Sequence, residues 1–199
     1  MLFSREVAKE IDARIARAEA STGVHLVVAT IGKADNYAEL PWKAFVLGAS
    51  LASFAVVASD FWWPQWVTAD TALMCAMATL GAGAACALAA VFIPTFARLF
   101  LRRAHAHAEV HQHAQAMFLE RELFRTPNRT AVLILVSRFE RIVDILPDVG
   151  LHSRVSEADW QTVISAMTPK LREARPFHAL QAGIAAAEDL LASKGFRSA

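Results

Sequence analysis

The residues of this 199-residue chain best suited to chemistry are carboxylates, one arginine and small polar groups, all set at turns. Glu19 precedes Thr22-Gly23. Asn128, Arg129 and Thr130 lead into an apolar run, Asp148 opens Asp148-Val-Gly150, and Glu157 and Asp159 follow Ser156. Oxygen ligands in loops suit a hard cation such as calcium or magnesium. Asp148, Glu19 and Asp159 are therefore candidate metal ligands, with Thr22, Asn128, Arg129 and Gly150 as candidate binding residues around them. The same residue types also cap helices and close turns. A second group lies on one polar stretch. His105, Glu109 and His113 recur every four residues and share a helix face, and His107 and His111 form another such pair. Such pairs can bind zinc or nickel or respond to pH, but a solvated helix accounts for them more simply. No nucleophile–base pair is visible. Ser137 has no histidine near it in sequence. Cys75 and Cys86 sit in an apolar run, about 16 Å apart along one helix, too far to bridge. A phosphatase would need a nucleophile or a metal-activated water. Only the metal route, through Asp148 with Arg129 nearby, is conceivable.

The elements that position these groups follow from hydrophobic periodicity. Ser4 can cap a helix with the stripe Val7, Ile11, Ile15 and Ala18, which Thr22-Gly23 stops. Val24–Thr30 reads as a buried strand. A polar helix follows Arg103 and runs to about Arg125. Ala131–Ser137 is a second strand, and Arg141–Leu146 a third, joined to it by a short turn. Asp144 in the third strand shares a side with Ile142 and Leu146. It is expected at an exposed face or paired, for instance with an arginine. Ser156 and Asp159 resemble a capping box opening a helix with Trp160, Val163, Ile164 and Met167 on one face. Leu180, Ile184, Ala187 and Leu191 mark the last helix.

Between the first two strands the chain is apolar. At 55% hydrophobic residues it is rich for a soluble protein, and the excess sits in this one block. Trp42–Ala58 and the uncharged run from Thr71 to Ala97 each approach or exceed the ~20 residues that cross a bilayer. Trp42, Trp62, Trp63 and Trp66 suit membrane interfaces. The connector Asp60–Asp70 carries no Lys or Arg, whereas Lys33, Lys43, Arg98, Arg102 and Arg103 flank the other ends. The positive-inside rule then puts both termini in the cytoplasm, and the three arginines against anionic headgroups. Gly48 with Ala52, and Gly81 with Ala85, offer small residues for close packing of the hairpin. A net charge of +1 gives no basic field for nucleic acid.

If the first strand ends at the membrane and the helix after the second span leads away from it, the second strand must return parallel to the first. The third is then antiparallel. One sheet edge gathers Thr22-Gly23, Asn128–Thr130, Asp148–Gly150 and the start of the Ser156 helix. Binding sites in small α/β domains sit where such loops converge.

Those segments carry a family resemblance. Arg14-Ile15-x3-Glu19-x2-Thr22-Gly23 precedes the first strand. Thr126 and Asn128, Val132–Ser137, Glu140-Arg141-x-Val143, Asp148-x-Gly150-Leu151, Trp160 and Gly183-Ile184 then follow in order. Across most of residues 3–40 and 104–195 the chain resembles the TPM domain, once proposed as a phosphatase family. The resemblance implies an α/β/α sandwich, a membrane-linked role, and the calcium binding and acid phosphatase activity attributed to some relatives. His25 stands where many relatives have an acidic residue, and Thr130-Ala131 replaces their Asn-Gly.

The expected architecture is α/β: an α/β/α sandwich with a small mixed sheet, interrupted by a two-helix transmembrane hairpin. Residues 1–41 and 98–199 would form the cytosolic TPM-like domain and 42–97 the hairpin, with spans at about 42–62 and 71–97. The expected function is a membrane-anchored module of the bacterial inner membrane, multi-pass, that binds or assists another membrane protein and is not primarily an enzyme. A divalent-metal-dependent phosphatase and a metal or pH sensor using the His helix are the alternatives.

Overall fold

The computed structural model describes residues 5–62, 68–173 and 175–197. The expected Ser4 cap, the Val7 side chain, Trp63 and Trp66 lie outside what it describes. In chain order the elements are α1 (Arg5–Thr22), β1 (His25–Ile31), α2 (Glu39–Trp62), α3 (Ala69–Phe92), α4 (Pro94–Ala97), α5 (Arg103–Glu120), β2 (Ala131–Ser137), β3 (Ile142–Pro147), α6 (Glu157–Arg172) and α7 (Pro176–Ser193). Single 3-10 turns cover Arg98–Phe100, Leu123–Arg125 and Val149–Leu151. The chain divides into two compact units, residues 1–34 with 106–199, and residues 35–105.

The first unit is a mixed α/β body around a three-stranded sheet of order β1-β2-β3. β1 is parallel to β2, with Val28 opposite Ile134, and β3 is antiparallel to β2, with Ile145 opposite Ile134. Every residue of β2 is buried. That fits an unbroken AVLILVS run, because a central strand covered on both faces needs no polar alternation. Val132, Ile134 and Val136 face one core with residues of α1, α6 and α7 such as Ala18, Trp160, Met167 and Ile184. Ala131, Leu133 and Leu135 face a second core with Val110, Ala114 and Phe118 of α5. The period-two side-chain alternation of a strand thus supplies both layers from seven residues.

Three local expectations need correction. The helix after Arg103 ends at Glu120, not near Arg125, because Glu122 takes a left-handed backbone conformation (φ 51°) and the chain tightens into a 3-10 turn. The second apolar helix ends at Phe92, short of Ala97. Ile93 is extended (φ −113°, ψ 95°), as the residue before Pro94 favours. Asp144 does lie on the side of Ile142 and Leu146, but its partner is a histidine, described below.

The second unit is built on α2 and α3. Each has 24 residues, with mean hydropathy of 1.7 and 1.9 over its most apolar stretch, long and apolar enough by length and composition to cross a membrane. At 1.5 Å per residue each extends roughly 36 Å. Large side chains such as Trp42, Phe54, Phe61, Met74 and Phe92 are exposed on them. The two helices pack through small residues. A Cβ on Gly48 would stand 2.7 Å from the Ala82 carbonyl oxygen and 2.7 Å from Cys86 Sγ, and one on Gly83 would stand 2.8 Å from the Phe45 ring. Gly83, not Gly81, therefore makes the close approach on α3; Gly81 has open space around its Cα.

Candidate functional site

At one edge of the sheet, the loop after α1, the loop before β2 and the turn after β3 come together. Thr22 ends α1: its hydroxyl donates to the Ala18 carbonyl at 2.6 Å and accepts from Val24 N–H at 3.3 Å. Gly23, at φ 68°, takes the left-handed position that ends many helices, and its N–H donates to the Glu19 carbonyl at 2.8 Å. The backbone of Arg129, also left-handed at φ 53°, accepts from Gly150 N–H at 3.0 Å. The approach is close: a Cβ on Gly150 would meet the Asn128 carbonyl oxygen at 2.2 Å and that of Arg129 at 2.6 Å. Glycine is required there by space rather than by torsion.

Asp148 organises this edge. It is buried, and it caps the turn that follows by accepting from Val149 N–H at 2.8 Å. Arg129 grips it with two nitrogens: Nε reaches Oδ2 at 2.9 Å and Nη2 reaches Oδ1 at 2.9 Å. This is the forked geometry that guanidinium and carboxylate favour. Hydrogen bonding to Asp148 raises the Arg129 guanidinium above its ordinary value. The other candidate metal ligands also have protein partners. Glu19 Oε1 accepts from Leu26 N–H at 2.9 Å and lies 2.8 Å from His25 Nδ1. Asp159 forms a capping box with Ser156 and lies 2.7 Å from Lys194 Nζ, which holds its carboxyl down at about 2. Glu157 stands in the first turn of α6. Among the described residues, no three His, Cys, Asp or Glu side chains group so as to hold an ion. A cation at Asp148 would have to displace Arg129.

The histidines of α5 are divided among separate contacts. His111 Nδ1 lies 3.0 Å from Asp144 Oδ2, and its Nε2 lies 3.0 Å from Gln115 Nε2. His105 meets the Tyr37 ring edge-to-face at 5.9 Å. His107 is exposed and His113 half-buried. Ser137, buried at the other end of β2, donates its hydroxyl to Glu140, whose second oxygen accepts from Ala34 N–H at 2.9 Å. That pair closes the β2–β3 turn and faces no cleft among those described.

Thr22, Asn128 and Gly150 line a polar cleft of about 320 Å³. The rest of its lining includes three groups the sequence reading missed: Ser153, Arg154 and the segment Gly195-Phe196-Arg197 after α7. Arg154 lies over the Phe196 ring, with Cζ 5.1 Å from its centroid, a cation–π contact that fixes the guanidinium at the cleft wall. The sequence offered one indirect signal, an arginine three residues past the Asp148–Leu151 turn. No carboxylate or imidazole lines the cleft among the described residues. Two of the lining residues, Arg154 and Arg197, are arginines.

No curated protein matches the chain. Its fold is similar to that of the BA42 protein from the psychrophilic bacterium Bizionia argentinensis, solved by NMR, with a TM-score of 0.56 and 16% identity over 99% of this chain and 86% of that one. The TPM domain model matches residues 75–190, from within α3 to the last turns of α7, and so takes in β2, β3, Asp148 and α6. Helix α1 and strand β1 lie before the match, yet β1 completes the sheet along β2. With more than half of its length matched, the chain belongs to the TPM domain family.

Proposed function

We propose that this TPM-domain chain is a membrane-anchored binding module that holds or assists another protein at the cytoplasmic face of a bacterial inner membrane. The observation that carries the reading is the pair of 24-residue helices α2 and α3, whose large apolar side chains face outward while small residues pack them together. Burying such surface in lipid gains about 25 cal/mol per Å², and in water the same surface would drive aggregation. The arginine-free connector and the cationic flanks favour a hairpin with both ends in the cytoplasm.

Binding rather than catalysis is supported by the chemistry of the cleft. The Thr22 hydroxyl is committed to its own helix end, and neither Ser153 nor Thr130 has an imidazole or carboxylate beside it in the lining. Hydrolysis needs a base or an activated water at the reacting atom, whereas binding needs a rigid body and a charged, shaped surface. The test is to wash membranes of cells making the full chain with alkaline carbonate, then cross-link and capture the intact protein from them. Retention in the pellet with a reproducible protein partner is expected. Release into the wash contradicts anchoring, and capture of no protein contradicts the module reading.

A further inference from the structure

The lining of the polar cleft points to a ligand class. Arg154 and Arg197 are among its lining residues, together with Asn128, Thr130 and Ser153, and the Arg154 guanidinium lies over the ring of Phe196, another lining residue. The neighbouring Arg129 contributes little net charge, since the buried Asp148 carboxylate is bound to it. The positive charge of the cleft therefore comes from Arg154 and Arg197, with no acidic group in the lining among the described residues. A guanidinium fork matches the two oxygens of a carboxylate. Phe196, half-buried, lines the same cleft, and the exposed Val149 directly precedes the cleft-lining Gly150 in the chain. Val149 and Leu119 are the large hydrophobic side chains exposed among the described residues of this unit. A charged fork beside an exposed aliphatic group is complementary to an acidic residue that neighbours an apolar one.

We infer that this cleft binds an acidic segment of a partner polypeptide, taking a carboxylate on Arg154 and Arg197 and an adjacent aliphatic side chain against Val149. The inference rests on the reading of the chain as a protein-binding module and names the feature of the partner that it holds. It requires no covalent step. Phe196 holds Arg154 at the wall, so part of the ordering cost of that long side chain is met before the ligand arrives.

The experiment uses the full chain in detergent and a fluorescein-labelled nonapeptide carrying Leu-Glu and Val-Asp pairs. Its counterpart with Gln and Asn in place of the acids is the control. Arg154→Gln and Arg197→Gln should each weaken binding of the acidic peptide about tenfold or more, with the unfolding temperature of each variant close to that of the parent. Val149→Ala should weaken it less. The neutral peptide should bind no better than the acidic one binds the double arginine variant. Equal affinity for the two peptides, or indifference to both arginine variants, would overturn the inference. So would no binding of the acidic peptide at all. Displacement by millimolar inorganic phosphate, at matched ionic strength, would assign the cleft to a small phosphoryl ligand instead. A partner still captured from membranes by the double arginine variant would leave the module reading intact and remove only the cleft from it.

Discussion

Substitution of Gly150 by alanine should loosen the whole candidate site. A Cβ there stands 2.2 Å from the Asn128 carbonyl oxygen and 2.6 Å from that of Arg129. Ordinary contact begins near 3.4 Å, so the two loops must part by about 1 Å. Both offending atoms are backbone, so no side-chain rotation relieves the clash. Overpacking of this kind costs about 1–3 kcal/mol. The Gly150 N–H bond to Arg129, now 3.0 Å, would be lost or stretched, adding about 0.5–1.5 kcal/mol. The sum is about 1.5–4.5 kcal/mol. Hydrogen exchange read by mass spectrometry on peptides covering Ala131–Ser137 reports the α/β unit separately from the apolar helices. If those amides exchange through global opening of the unit, they should exchange roughly 10- to 2,000-fold faster in Gly150→Ala. Gly32→Ala is the control, because nothing lies within 4 Å of its added Cβ, and its exchange should stay within a fewfold of the parent. Equal protection in the two variants would refute the tight approach of the loops and, with it, the account of how this edge is held.

Two further outcomes follow from the same contacts. Gly48→Val should lower the unfolding temperature of the detergent-solubilised chain while Gly81→Val leaves it unchanged, since only the first Cβ meets the facing helix; equal shifts would show that the helices pack otherwise. The Asp159 carboxyl is lowered from 3.8 to about 2 by Lys194 and Ser156, so its stabilising contribution is fully present above about pH 4 and is lost as the pH falls towards 2. Asp159→Asn should therefore destabilise the protein at neutral pH and match it near pH 2, and a deficit that does not narrow on acidification would contradict the pairing.

Much of the α/β unit was legible because it rests on local periodicity. The AVLILVS run gives β2 to the residue, and strand direction followed from where the neighbouring segments had to lead, so the parallel β1–β2 and antiparallel β2–β3 pairings agree with the structure. The convergence of Thr22, Asn128 and Gly150 followed from the same argument. What sequence did not reveal were partners distant along the chain. Lys194 binds Asp159 and His111 binds Asp144, and no spacing rule links these pairs, while Arg129, expected near Asp148, is its ion-pair partner rather than a neighbour at a metal site. Arg197 reaches the cleft only because α7 returns its end to the sheet edge, which no local pattern encodes, and Phe196 from the same segment meets Arg154 there. On α3, Gly81 and Gly83 differ by two residues and so by more than half a helical turn. Which of them faces α2 depends on the rotation of the helix, set by the opposing Phe45 and Gly48.

The measurement that bears most directly on the account is cysteine accessibility in intact bacterial cells making the full chain. Cys75 and Cys86 lie within α3 and serve as the unlabelled background. Gln65→Cys, in the connector, should react with a membrane-impermeant maleimide added outside, once the outer membrane is opened. Arg197→Cys should react only after the inner membrane is permeabilised. Labelling of Arg197→Cys from outside would contradict the cytoplasmic placement of the cleft, and recovery of both variants in the soluble fraction would contradict the membrane hairpin itself.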